Sequence, residues 1–368
     1  MKIDGMELVR VAMPLVYPFR TAFGNDDTVE SVLVRMTSGD AYGWGEAAPW
    51  RYPAYSPECA ATQFVLSRDF IAPLLLGRGL GSGGELQAAL AGIKGNPFAK
   101  AAFDLAWWDL HARCAGEPLW KLIGGTGPVV DAGADFGIME TVDLLIETIA
   151  AALEAGYKRV KLKYRPGWDL DMIDAVRTAF PDATFHIDCN SAYTLDDLPM
   201  FKKLDRYNLA MIEQPLSHDD LIDHATLQAS IDTPICLDES ITSVDKARKA
   251  IQIGACRWVN IKPGRVGGLT PALAIHDLCR DAGVPCWIGG MLESAVGASH
   301  CLALATLPNI AYPSDIFPSE RFYRRDLATP PMTHSAPSQF AAHPSPGIGV
   351  EPDPAALDEY TIERATIR

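Results

Sequence analysis

The stretch RVKLKYRPGWD, residues 159–169, sets the reading of the chain. Val160 and Leu162 are apolar and alternate with Lys161 and Lys163. In a strand, residues i and i+2 share a face, so the two ammonium groups lie side by side. Lysines on an exposed edge strand are ordinary; two of them ending a buried strand call for another explanation. The rest of the chain supplies one. Short apolar runs that end in a polar residue recur: VKLK to Lys163, ATFHID to Asp188, LAMIE to Glu213, TPICLD to Asp238 and RWVNIK to Lys262. Their ends are 25, 25, 25 and 24 residues apart. Helix-like stretches lie between them, such as LDDLPMFKKLDRY and SVDKARKAIQIGA. Val, Ile and Leu dominate the runs, as in parallel strands buried on both faces.

The rhythm extends outward. VVDAGADFGI precedes Lys163 by one module, and VPCWIGG and NIAYPSD follow Lys262 by one and two. Eight candidate strands between residues 129 and 315, with helices between them, predict a closed parallel α/β barrel. An open doubly wound sheet is the alternative, but no glycine-rich phosphate loop follows a first strand. Residues 1–125 read as a separate α+β domain: TVESVLVRM and AYGWGEA as antiparallel strands, NPFAKAAFDLAWWDLHARCAG as a long helix. The barrel is expected over 126–325. The proline-rich segment 326–368, with PGIGVEP and YTIERATI as strands, is expected to return to the first domain.

A chain of 368 residues accommodates a barrel with such an addition. Its net charge of −14 and its lack of a basic run exclude nucleic acid and anionic membranes as expected partners. Eight scattered cysteines, none in a CxxC pair, read as reduced thiols of a cytoplasmic protein. MKIDGMELVRVAMPL has no signal-peptide core, and FIAPLLLG is too short and proline-broken to span a bilayer.

In such a barrel the C-terminal strand ends build the active site. Asp188, Glu213 and Asp238 would converge there from three adjacent strands, and they repel one another unless a cation joins them. Oxygen ligands alone favour a hard ion, Mg²⁺ first, with Mn²⁺ as a substitute. Lys163 and Lys262 are four strands apart, hence on opposite sides of the mouth. Lys163 would be a general base, with Lys161 and the metal favouring its neutral form and Lys161 also touching a substrate carboxylate. Taken singly, Asp188 in DCNSAY reads more often as a turn or N-cap residue than as a ligand, and Glu213 and Asp238 equally well as helix caps. Charged residues at one phase of consecutive modules argue for a shared site.

The set VKLK, HIDCN, MIEQP, CLDES and NIKPGRVGG resembles the enolase superfamily in its muconate-lactonising subgroup. PFRTAFG, GWGEAAP, AKAAFDLAWWDL and GGMLES fall where that family places its cap loops, cap helix and seventh strand, so the resemblance covers nearly the whole chain. Lys262 argues against the mandelate-racemase subgroup, which uses a later histidine. The motifs are most similar to the N-succinylamino acid racemase and o-succinylbenzoate synthase group. The resemblance implies a (β/α)7β TIM-like barrel with an N-terminal α+β capping domain completed by the C-terminal segment. It implies a divalent metal on Asp188, Glu213 and Asp238, and Lys163 and Lys262 flanking the substrate α-carbon. The chemistry would be proton abstraction against an ene-diolate, as this superfamily performs it. Asn190, Glu239 and Arg265 would support the site, Arg265 by pairing with a carboxylate and adjusting Lys262. Phe19, Phe23 and Tyr55, from the loops 19–23 and 50–55, and Gly290, Met291 and Leu292 would face substrate. A homo-oligomer is implied as well.

Two positions depart from the group. Asp135 stands where a small hydroxyl residue is expected, and its charge would repel a succinyl carboxylate. Phe317 and Pro318 stand where small residues are expected. Dipeptide epimerase, with Asp135 or Asp315 as the partner of a substrate amine, and cycloisomerase stay open. So do two other classes: a metal-free barrel using a lysine Schiff base, and a non-catalytic barrel.

Overall fold

The run VESVLVRM becomes a strand buried on both faces, from Val29 through Val34 and again at Met36. In the computed structural model, which describes residues 1–20 and 24–368, β1 (Gly5–Arg20), β2 (Asn25–Ser38) and β3 (Ala41–Ala47) form an antiparallel meander. The helix Pro97–Ala115 lies against β3. The two glycines of GWGEA explain how closely. A Cβ on Gly43 would stand 2.2 Å from the Leu110 nitrogen, and one on Gly45 2.2 Å from the Ala102 oxygen. Helix and strand therefore meet backbone to backbone. The helix starts with Pro97 in its first turn and stops at Gly116 in the left-handed region, the usual helix punctuation. It is apolar on most sides because most of it is buried.

The barrel follows the 25-residue rhythm. β4 (Val129–Asp131) and β5 (Ala134–Phe136) lie in one stretch that the sequence suggests is a single strand. The break falls at Gly133, where any Cβ would collide with the Arg159 guanidinium at 2.0 Å. β6 (Arg159–Lys163), β7 (Thr184–Asp188), β8 (Ile212–Glu213), β9 (Ile235–Leu237), β10 (Trp258–Ile261) and β11 (Cys286–Ile288) follow. From β5 to β11 they form one parallel sheet in chain order, with helices between them. Several of these helices start at side-chain caps: Thr141 accepts from the Leu144 amide, and Ser243 from that of Lys246.

The eighth run, NIAYPSD, closes the barrel without becoming a regular strand. It makes single parallel bridges from Ile310 to Cys286 and from Ser314 to Ala132. The Asp315 amide donates to the Ile288 carbonyl at 2.8 Å, and the Gly133 amide to the Ser314 carbonyl at 3.0 Å. Pro313, with no N–H, interrupts the ladder between them. The result is a (β/α)7β barrel.

The C-terminal segment divides its pairings between the two parts of the chain. β12 (Ala328–Thr329) pairs with β14 (Glu351–Pro352), and β13 (Gln339–Ala341) pairs with β4. PGIGVEP therefore adds no strand to the first sheet, but it packs on the first domain: the Ile348 amide donates to Asp109 at 2.8 Å and the Tyr42 hydroxyl of β3 to Glu351 at 3.1 Å. β15 (Thr361–Ile367) does add a strand, antiparallel to β1, giving the order β15-β1-β2-β3. Among the described residues, no helix is long and apolar enough to cross a membrane, and all eight cysteines are free.

Candidate active site

Parallel register brings the charged strand ends to one level. Asp135 on β5 is opposite Lys161 on β6, Lys163 is opposite Asp188 on β7, and Asp188 is opposite Glu213 on β8. Asp238 and Lys262 directly follow β9 and β10. All of these side chains are buried.

Asp188, Glu213 and Asp238 are each held by cations. Lys163 Nζ donates to Asp188 Oδ2 at 2.7 Å and to Asn190 Oδ1 at 3.0 Å. Lys161 Nζ stands 3.0 Å from Asp188 Oδ2, 2.9 Å from Glu213 Oε2 and 3.2 Å from Asp315 Oδ2. Lys262 Nζ donates to Asp238 Oδ2 at 2.8 Å and to the Tyr55 hydroxyl at 3.2 Å. Arg265 donates to Asp238 Oδ1, and to the Tyr55 hydroxyl at 3.1 Å. Glu239 accepts from Asn190 Nδ2 at 3.0 Å, so it reaches Lys163 through Asn190.

Burial and charge oppose one another here, and charge wins for most groups. Burial works to lower the Lys161 ammonium, but Asp188, Asp315, Glu213 and Asp135 hold it well above its ordinary value. Burial works to raise Asp188, but Lys161, Lys163 and Lys262 hold it well below the usual carboxylate range. Glu213 is lowered too: burial and the Asp188 charge push it up, and Lys161 and His186 outweigh them. Glu239 is the exception, pushed up to about 7 by burial and then by Asp188.

Above this layer is a cavity lined by Phe19, Trp50, Tyr55, Asp135, Lys161, Lys163, Asn190, Lys262, Gly290, Met291, Leu292, Asp315 and Phe317. Every residue named from the sequence as facing substrate is in that lining except Phe23, which lies outside the described residues. Asp315 is in the wall, but Arg159 holds it at 2.7 Å and Lys161 at 3.2 Å, so it already has two cations. Arg265 and Glu239 sit behind the lining.

Other residues escaped the sequence reading. Arg159 lies two positions before Lys161 on the same face of β6, and that phase was the available signal. Gln214 accepts the Asp238 and Ser240 amides at 3.0 and 3.1 Å and so fixes the turn that carries Asp238. Asn260 donates to Glu213 Oε1 at 2.7 Å. Trp50 donates to the Met291 carbonyl at 3.0 Å and packs beside Phe19, tying the cap to the barrel. Trp50, Asn190, Gln214 and Leu292 all have positive φ. For residues other than glycine that costs energy, and such strain gathers at functional sites.

Among the described residues, no three metal-binding side chains already enclose an ion-sized space, because the carboxylates turn onto the lysines and Arg265. The donor chemistry nonetheless fits a hard divalent cation. Asp188, Glu213 and Asp238 offer oxygen alone, are buried, and depend on positive charge brought by Lys161, Lys163, Lys262 and Arg265.

Comparisons with known proteins bear on the family and the fold. Residues 4–124 match the model of the mandelate racemase / muconate lactonizing enzyme N-terminal domain, and residues 145–356 the enolase C-terminal domain-like model. The chain is 45% identical over 361 residues to o-succinylbenzoate synthase of Geobacillus kaustophilus, covering 98% of this chain and 96% of that one. It is 44% identical over 327 residues to N-succinylamino acid racemase of Thermus thermophilus, covering 89% of each. The crystal structure of an enolase superfamily member from Listeria innocua superposes with a TM-score of 0.96 at 36% identity, covering 100% of this chain and 99% of that one. The chain is an enzyme of the mandelate racemase / muconate lactonizing enzyme family, within the enolase superfamily.

Proposed function

We propose that the chain removes the proton α to a substrate carboxylate to give an enediolate. The leading reaction is racemisation of N-acyl amino acids, N-succinyl among them, with o-succinylbenzoate synthase dehydration as a second outcome of the same residues. One observation carries this reading: Lys163 and Lys262 enter one cavity from strands on opposite sides of the barrel, and three carboxylates lie between those strands. Asp188, Glu213 and Asp238 would hold Mg²⁺, or Mn²⁺ in its place. The bound ion would supply positive charge against the enediolate and occupy the carboxylates that now pair with Lys163 and Lys262. Released from them, one lysine takes the proton from one face and the other returns a proton to the opposite face. In the dehydration Lys163 serves as base and then acid while Lys262 stabilises charge. Lys161, held protonated by Asp315 and its neighbours, contacts the substrate carboxylate. Arg265, Asn190 and Glu239 position the lysines and their carboxylates.

The supporting network argues against the other classes. A metal-free Schiff-base lysine has no use for three buried carboxylates beside it, which Asp188, Glu213 and Asp238 are. The work would take place in the cytoplasm, in a homo-oligomer. The test is incubation with Mg²⁺ in D₂O and a panel of N-acyl amino acids, following deuterium at the α-carbon and loss of optical rotation. Exchange with racemisation is the expected result. No exchange on any member, with turnover of a dehydration or cycloisomerisation substrate, would replace racemisation with that reaction.

A further inference from the structure

Asp135 is the one carboxylate of the cavity wall that the surrounding network leaves incomplete. The residue is 6% exposed, and its Oδ1 is buried without a hydrogen-bond partner. Buried carboxylate oxygens without donors are rare, because the lost hydration is not replaced. The nearby cations are committed elsewhere. Lys161, opposite Asp135 in the register, is shared among Asp188, Glu213 and Asp315. Arg321 donates to the backbone carbonyl of Asp135, not to its carboxylate, and lies among the rings of Phe136, Phe317 and Phe322, with its own Nε buried and without a partner. Asp315, the other wall carboxylate, has Arg159 and Lys161. Asp135 is on β5, across the barrel from Asp238 on the far side of Lys161. A substrate whose own carboxylate sits over Asp188, Glu213 and Asp238 shares one cavity with that wall.

We propose that Asp135 selects the acyl arm of the substrate, favouring an arm that ends in an N–H donor, an ammonium above all, over one that ends in a carboxylate. The inference rests on the N-acyl amino acid reading above and narrows it. The missing donor at Oδ1 is supplied by the ligand, and a succinyl arm brings a second negative charge to the same place. Phe317, in the same wall, limits the arm to a slender chain.

β-Alanyl-phenylalanine and N-succinyl-phenylalanine test this, because their arms have the same length and opposite terminal charge. Calorimetry on the Mg²⁺-loaded protein, with equilibrated D/L mixtures, gives the ratio of their dissociation constants. Deuterium exchange is followed on the same samples. The parent should bind the β-alanyl compound at least tenfold more tightly. Asp135→Ser should abolish or invert that ratio, and Asp135→Asn, which fills the same volume, should reduce it. A parent that prefers the succinyl arm, or a ratio unchanged in both variants, overturns the proposal. The two readings fail separately: a shifted binding ratio with no exchange refutes the proton-transfer function alone, and exchange with an unmoved ratio refutes the role of Asp135 alone.

Discussion

The cap and the barrel mouth bury the same kind of side chain and satisfy it differently. In the cap, Glu46, Glu58, Asp104 and Asp109 point at backbone amides. Glu58 accepts from Phe98 and Ala99, at the start of the cap helix, both at 2.9 Å. Asp104 accepts from the Thr270 amide at 2.9 Å and Glu46 from the Gly297 amide at 3.0 Å, so two cap acids sit on the N-termini of barrel helices. Asp109 accepts from Trp44 and Ile348, each at 2.8 Å, with Arg113 as an added cation. Burial outweighs these bonds: Glu46 and Glu58 are pushed up to about 7, Asp104 and Asp109 to about 6. In the barrel mouth the partners are ammonium and guanidinium groups, and Asp188, Glu213 and Asp315 move down instead. A backbone amide cannot leave, whereas a lysine can swing away. The cap acids are fasteners, and the mouth acids hold cations that, on the proposed function, a metal would replace.

The largest effect that would sharpen this contrast is on chemistry. Lys163→Ala should lower α-proton exchange by roughly 10²- to 10⁴-fold, the usual worth of a positioned base, and leave the fold intact by circular dichroism. Retained exchange would remove Lys163 from the mechanism.

Next comes a pH slope of opposite sign in the two regions. Glu46 titrates at about 7 in the folded chain against 4.5 in the unfolded one. Its stabilising contribution is therefore full below the unfolded value and is lost as the pH climbs through 7. That loss is at most on the order of 3 kcal/mol. The mouth acids, whose values are depressed, contribute above their unfolded values near pH 4 and lose that contribution as the pH falls. Denaturant midpoints of the parent and Glu46→Gln between pH 5 and 8 should differ in slope, the variant being the flatter. Parallel curves would mean that Glu46 does not titrate in this range.

Third, Mg²⁺ should raise the melting temperature by mass action. At 100 times its dissociation constant the gain is about 2.7 kcal/mol. Asp238→Asn should lose most of that response, and Asp104→Asn should keep it. Equal responses would erase the distinction between fasteners and cation holders. The smallest effect is Asp104→Asn itself. Loss of charge at a helix N-terminus should cost about 1 kcal/mol, read as a lower melting temperature with exchange per folded molecule unchanged.

The mouth was legible in the sequence and the fasteners were not, for a physical reason. Parallel strands with helical returns impose a fixed period, so Lys163, Asp188, Glu213, Asp238 and Lys262 announce one another by spacing. Glu46 and Asp104 answer to amides of residues more than 160 positions away, and no local pattern encodes such a pairing. The barrel was readable for the same reason, apart from its closing segment, where Pro313 turns an expected strand into isolated bridges. β15 was legible as a strand in YTIERATI, but its partner was not. Arg159 shows a nearer miss: its phase on β6 was visible, and a buried arginine beneath two lysines became reasonable once Asp315 was seen against it.

The ladder between β1 and β15 carries a consequence for how the chain is made. Met6 faces Ile367, and Arg10 reaches both Glu30, at 2.8 Å, and Glu363, at 2.7 Å. On a ribosome, β1 emerges first and its edge stays open through the synthesis of every barrel strand. The cap sheet can be finished only after the barrel it covers exists, because β15 is translated last of the paired elements. Contacts this distant in sequence form slowly. The waiting edge of β1 is a natural place for a nascent-chain chaperone to bind, or for two unfinished chains to pair wrongly.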